Sequence, residues 1–160
     1  MKVKKREILG IIFFVILDQL TKYIASVYLK GAGMVEVIKN FFYLHLVHNS
    51  GAAWSILEGQ MWFFYILTVV MLGIFFMCLV KSDKKETWLR FAFVLIIAGT
   101  IGNFIDRLLF QQVTDFLDFY IFGYDFPVFN IADTELCIGA GIFALYALRH
   151  SDDEEKEGAK

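Results

Sequence analysis

One uninterrupted apolar segment constrains this chain more than any other feature. Residues 59–80 form a run of 22 residues without a single charge. The hydrocarbon core of a bilayer is about 30 Å thick, and a helix needs about 20 residues to cross it. Aromatic residues cluster at the start of the run, from Trp62 to Tyr65, as is typical of a membrane interface. The segment therefore predicts a transmembrane helix.

The composition agrees with an integral membrane protein. Apolar residues make up 58% of the chain, against about 45–50% in soluble domains. Fifteen basic and 17 acidic residues give a net charge of −2, which excludes a nucleic-acid binder that relies on bulk positive charge. The two cysteines, Cys78 and Cys137, lie in apolar runs without a CxxC partner. This placement favours buried or lipid-facing thiols over a disulfide or a metal site.

Three further segments are long enough to span a bilayer only if each includes charged residues near one end. The first contains Asp18 and Lys22, the third Asp106 and Arg107, and the fourth Asp133 and Glu135. We expect Glu135 to face the outer head groups. The chain is thus predicted to form one membrane domain, 1–160, with spans at about 8–29, 59–80, 89–108 and 130–149.

The distribution of basic residues predicts the orientation. Eleven of the 15 lie at the two chain ends or between residues 81 and 90. By the positive-inside rule, both termini and the loop 81–88 are cytoplasmic. The outer loops are then about 30–58 and 109–129, and the polar tail 150–160 is expected to be solvated and disordered. Segments 34–38 and 41–47 alternate like strands and predict a small β element on the outer side.

Two Asn-x-x-Asp segments lie at the predicted outer face: Asn103 with Asp106, and Asn130 with Asp133. This spacing places an amide and a carboxylate on the same face of a helix. Asp115 lies between the two segments. Ionisable groups at membrane depth are costly and usually functional. Carboxylates that converge in a poorly hydrated site share a proton, which is the arrangement that aspartic peptide hydrolysis requires.

Other functions fit the residues less well. Ser50 has His48 nearby but no acidic partner for a serine triad, and the zinc motif H-E-x-x-H does not occur. His45 and His48 are more typical of surface polar groups than of metal ligands. The residues alone leave two alternatives open: a scaffold whose Asp and Asn side chains hold helices together, and a proton-coupled transporter. The acidic residues cluster near one face, which favours chemistry there over transport.

Five ordered motifs resemble the lipoprotein signal peptidases, the bacterial signal peptidase II family. The resemblance extends from Asp18 to about Gly141 and so covers almost the whole length of the chain. The motifs are Asp18-Gln19-Leu20-Thr21-Lys22, His48-Asn49-Ser50-Gly51-Ala52-Ala53-Trp54, Gly102-Asn103-Phe104-Ile105-Asp106-Arg107, Val113-Thr114-Asp115-Phe116 and Phe129-Asn130-Ile131-Ala132-Asp133. Ser50 and Thr114 are mild departures, since the family often has Thr and Val at these positions.

The resemblance implies a fold of four transmembrane helices with a small extracytoplasmic β-sheet cradle, in the bacterial cell membrane. It implies an aspartic endopeptidase without metal or cofactor, which cleaves prolipoproteins on the amino side of a diacylglyceryl-modified Cys. Its partners are then this substrate and membrane lipids, with no nucleic acid, and the enzyme is expected to be monomeric. The implied catalytic pair is Asp115 and Asp133. The implied binding or supporting residues are Asn49, Gly51, Asn103, Asp106, Arg107, Asn130, Asp18 and Lys22.

Without the resemblance, the symmetry of the two Asn-x-x-Asp segments pairs Asp106 with Asp133 instead. One physical argument favours Asp115. Asp106 is adjacent to Arg107, and an ion-paired carboxylate stays ionised and transfers protons poorly. Asp115 has no adjacent cation. We therefore expect Asp106 to be structural.

Overall fold

The protein consists of four long helices and a small antiparallel sheet, as the resemblance implied. This computed structural model describes residues 3–52 and 56–158, with side chains up to residue 150. Ala53 and Trp54 of the second motif thus lie outside the described residues. The helices are α1 (Lys5–Tyr28), α2 (Met61–Lys81), α3 (Thr87–Phe110) and α4 (Ile131–Gly158). Each has the length and apolar composition to cross a membrane, α4 over Ile131–His150.

Helix α3 is the centre of the bundle. In its most apolar stretch 67% of the residues are buried, against 11–17% in the other three helices. Small residues bring α3 close to both α4 and α1: a Cβ added to Gly99 would overlap the carbonyl oxygen of Ala132 in α4, and one added to Gly102 would lie 2.5 Å from an Asp18 oxygen in α1. Such close backbone approach is how membrane helices gain packing contacts without a hydrophobic drive between them.

The four strands are β1 (Met34–Ile38), β2 (Phe42–Asn49), β3 (Val113–Ile121) and β4 (Tyr124–Asp125), which pair antiparallel in chain order. The first two strands confirm the sequence prediction. The register of β2 against β3 shifts between Leu44 and Val47, and beyond the shift Val47 pairs with Asp115. Phe116 packs against Ala25 and Leu29 of α1, which fixes the sheet to the bundle.

Helices α1, α2 and α3 are joined by a buried ion pair at the end of the bundle away from the sheet. The Arg90 guanidinium donates to both carboxylate oxygens of Glu7, at 2.7 and 2.8 Å, and to the carbonyl oxygens of Leu79 and Ser82. Arg90 was counted above among the basic residues of the cytoplasmic side. The structure buries it at 1% exposure, because Glu7 and two helix-end carbonyls replace its water.

The polar tail also differs from the expectation of disorder. Helix α4 continues through it to Gly158. The segment is rich in Glu and contains Lys156, and both residue types favour helix formation.

Candidate active site

The fourth helix begins with a reciprocal hydrogen-bonded cap. Asn130 precedes the first helical residue, and its side-chain oxygen accepts from the Asp133 N–H at 2.9 Å. One Asp133 carboxylate oxygen in turn accepts from the Asn130 N–H at 3.2 Å. This is the capping-box geometry, with Asn and Asp in place of Ser or Thr and Glu. The second Asn-x-x-Asp motif is therefore a helix start that also fixes one carboxylate.

Asp115, on strand β3 of the sheet, contacts this cap. Its carboxylate is 3% exposed and accepts from the side-chain amides of Asn130, at 2.7 Å, and Asn49, at 3.2 Å. Burial, followed by the negative charge of Asp133, raises the pKa of Asp115 to about 7, although the two amide hydrogen bonds oppose this shift. At neutral pH this carboxyl group therefore exists in both protonation states.

Asn103 connects the aspartates to α1. Its amide nitrogen donates to Asp133 at 2.7 Å, while its oxygen accepts from Lys22 at 2.9 Å and from Asn130 at 3.1 Å. Asn130 thus uses its amide nitrogen for both Asp115 and Asn103. The amide orientations of the two asparagines are set by these charged partners.

Asp106 lies outside this carboxylate pair and has structural partners. Its oxygens accept from the Thr114 N–H at 2.9 Å and from the Gln19 amide at 3.0 Å, and the Lys22 ammonium is 3.5 Å away. Asp18 is similarly engaged: it lies 3.0 Å from Lys22 and accepts from the Ala132 N–H at 2.9 Å, in the first turn of α4. A carboxylate at that position complements the helix dipole.

Both Asp115 and Asp133 line a cavity of about 480 Å³. Polar residues form one end, including Asn49, Asn103 and Arg107, and apolar residues from 126–129 and 136–138 line the rest. The Arg107 side chain donates to the Gly51 carbonyl at 3.3 Å and lies 4.7 Å from the Phe64 ring centre, while its buried Nε has no partner among the described residues. The cavity therefore offers two carboxylates, amide donors and a cation beside an apolar groove.

The structure brings together most of the residues predicted for the site. Six of them surround or support the cavity: Asn49, Asn103, Arg107, Asn130, Asp115 and Asp133. Three others form the layer behind it: Asp18, Lys22 and Asp106. Gly51 contributes its carbonyl to Arg107, and its N–H donates to the Asn49 side chain.

The sequence analysis did not assign a role to Gln19, which links Asp18 to Asp106. The sequence feature that could have indicated this role is the position of Gln19 within the first motif. The expectation for Glu135 was wrong, because this residue is only 4% exposed and is not at the head groups.

Comparisons with known proteins identify the family. A family model described as signal peptidase (SPase) II matches residues 10–149. The chain belongs to the signal peptidase II family. Curated relatives in this family include the lipoprotein signal peptidases of Staphylococcus aureus strains JH9 and Newman. Each is 41% identical over 154 residues, which cover 96% of this chain and 94% of the relative.

Solved structures of bacterial membrane enzymes resemble this family member throughout its length. One superposes with a TM-score of 0.87 at 41% sequence identity, and the match covers 96% of this chain and 95% of the solved chain. A second has a TM-score of 0.82 at 42% identity, and the match covers 92% of this chain and 97% of the solved chain. The protein is therefore a multi-pass membrane protein with a signal peptidase II fold.

Proposed function

We propose that this protein is an aspartic endopeptidase that removes the signal peptide from bacterial prolipoproteins, on the amino side of the diacylglyceryl-modified Cys. One observation carries the proposal. Asp115 from β3 and Asp133 from the first turn of α4 line one cavity and are hydrogen-bonded to the same residue, Asn130. The names of the curated relatives supply the substrate class.

The carboxylate pair provides the chemistry for peptide hydrolysis. With one proton shared between them, the ionised carboxylate accepts a proton from water as the water oxygen attacks the scissile carbonyl carbon. The protonated carboxyl group donates its proton to the carbonyl oxygen, which gives a tetrahedral diol. The carboxyl group that took the water proton then transfers it to the amine nitrogen as the C–N bond breaks, and the other carboxylate regains a proton from a diol hydroxyl as the product carboxyl group forms. The raised pKa of Asp115 favours a retained proton near neutral pH.

The apolar part of the cavity suits a substrate that arrives from the lipid. The signal helix is proposed to enter sideways, with its lipid chains remaining in the bilayer. The peptide next to the scissile bond must be extended, because a helix conceals its carbonyls in hydrogen bonds. Arg107 lines this cavity and its Nε has no hydrogen-bond partner among the described residues, so this side chain is proposed to contact a substrate carbonyl.

Location and assembly are further parts of the proposal. The positive-inside rule supports cytoplasmic termini and an active site near the outer face of the cell membrane. We propose that the enzyme acts as a monomer, as the resemblance implied.

The decisive experiment is a gel-shift cleavage assay with a diacylglyceryl-modified prolipoprotein in detergent. We expect cleavage by the wild type and loss of cleavage in Asp115→Asn and Asp133→Asn. Asp106→Asn is the matched control. It should retain part of the activity when the rate is expressed per folded enzyme, with the folded fraction measured by thermal unfolding. Activity in Asp115→Asn with none in folded Asp106→Asn would overturn the pair, and no cleavage by folded wild type would overturn the function.

A further inference from the structure

Two grooves flank the start of α3 at the end of the bundle opposite the aspartates. The first, here called the α1 groove, has a volume of about 470 Å³ and lies between α1 and α3. The second, the α4 groove, has a volume of about 590 Å³ and lies between α3 and α4. Thr87 and Trp88 line both. Trp88 is 70% exposed and forms the ridge between them.

Both grooves combine an apolar wall with a basic rim. The wall of the α1 groove includes Phe14 and Phe91, and that of the α4 groove includes Ile142 and Leu145. The rim contains three exposed basic side chains with no hydrogen-bond or ion-pair partner among the described residues: Arg6, Lys85 and Arg149. Neither groove contributes to the cavity that contains the aspartates.

The acidic residues of the grooves do not neutralise this rim. Glu7 is held by the buried Arg90. The carboxylate of Glu86 accepts from the Tyr146 hydroxyl and from the Asp83 N–H. Four basic and two acidic side chains line the two grooves together, so the surface carries a net positive charge next to apolar walls.

We propose that this surface binds one anionic diacyl phospholipid from the adjacent leaflet. The phosphate lies at the start of α3, beside the basic rim, and one acyl chain occupies each groove on either side of Trp88. Charge complementarity selects the occupant, because the lining of the two grooves carries more basic than acidic side chains and the walls are apolar. A Lys or Arg near an anionic lipid surface contributes about fivefold in affinity. This site is independent of the peptidase activity.

The test is native mass spectrometry of the delipidated full chain in neutral detergent, titrated with dioleoyl phosphatidylglycerol or dioleoyl phosphatidylcholine. We expect one tightly retained phosphatidylglycerol, with weaker retention of phosphatidylcholine, which has the same chains without net charge. The variant Arg6→Gln/Lys85→Gln/Arg149→Gln should lose about tenfold or more in phosphatidylglycerol affinity. The matched control, Lys5→Gln/Lys81→Gln/Lys84→Gln, removes three charges at the same end outside the grooves and should lose much less.

A second pair of variants tests the acyl chains. Leu145→Trp fills the α4 groove and should weaken phosphatidylglycerol binding, whereas Leu148→Trp adds the same bulk outside both grooves and should not. Inorganic phosphate alone should fail to displace the lipid. Equal retention of the two lipids, equal losses in the two triple variants, or complete displacement by phosphate would each overturn the proposal.

Discussion

The side-chain amide of Asn130 donates to the carboxylate of Asp115 at 2.7 Å. Asn130 also caps α4, the helix that carries Asp133. One asparagine therefore sets both the start of α4 and the relative positions of two acidic groups from different elements. Asn130 is 0% exposed, so water cannot replace these hydrogen bonds. The position of β3 relative to α4 depends on this residue.

The two roles of Asn130 can be separated by substitution. Ser is as good an N-cap as Asn, but its side chain is too short to reach Asp115. We expect both Asn130→Ser and Asn130→Ala to lower the melting temperature, because each removes the buried hydrogen bonds to Asp115 and Asn103. Asn130→Ser keeps the cap, so it should be more stable than Asn130→Ala by about 1 kcal/mol. Both variants should lose about 100-fold in kcat/KM, because the carboxylates are no longer aligned. Full activity in Asn130→Ser would contradict the bridging role.

The pH dependence of cleavage should report the raised pKa of Asp115. A pair that needs one proton loses activity when that proton dissociates, so kcat/KM should fall above the Asp115 pKa of about 7. The Asn49 hydrogen bond lowers this pKa. Asn49→Ala should therefore move the alkaline limb to higher pH. A limb that stays in place in this variant would mean that another group controls it.

The same pKa shift has a consequence for stability. Because the folded state raises the pKa of Asp115, the fold favours its protonated form. This contribution is fully present below the ordinary aspartate pKa and is lost as the pH rises to about 7. Between pH 4 and pH 8, the melting temperature of Asp115→Asn should fall less steeply with rising pH than that of the wild type. Parallel curves would show that Asp115 titrates normally.

The close approach of α3 and α4 predicts a strict requirement for glycine. A Cβ on Gly102 would lie 2.5 Å from an oxygen of Asp18 and 3.2 Å from the Ala132 Cβ. We expect Gly102→Ala to lose about 1–3 kcal/mol on denaturant unfolding in detergent, because a buried carboxylate and a helix must both move. Gly141→Ala is the matched control, since nothing lies within 4 Å of its added Cβ. An equal loss in both variants would exclude steric overlap as the cause.

Hydropathy and alternation predicted the four helices and the first two strands, whereas the family resemblance supplied the site residues that the structure brings together. These features depend on local sequence: apolar runs set the helices, alternation sets β1 and β2, and Asn130 with Asp133 forms a cap. Strand β3 lay within a predicted loop because it lacks alternation. Its residues from Val113 to Phe116 are all buried, although two of them are polar.

The contacts of Asp106 and Asp115 required the three-dimensional structure. Lys22 and Gln19 contact Asp106 across more than 80 residues of sequence, and Asp115 meets Asn49 across 66. No local pattern encodes such pairings. The adjacent Arg107, which motivated the structural assignment of Asp106, instead donates to Gly51. The expectation for Asp106 agrees with its contacts, but the cation beside it is Lys22.

Glu135 gives the final prediction. Both of its carboxylate oxygens are buried without a partner among the described residues. A buried carboxyl group without hydrogen bonds is costly, and Gln has the same shape without the charge. Glu135→Gln should therefore raise the melting temperature at pH 8 and leave cleavage within about twofold of wild type. Glu135→Ala should lower the melting temperature, because it leaves a cavity between α1 and α4. If both variants lower it equally, Glu135 is ionised and stabilises the fold through a charged partner such as Lys22.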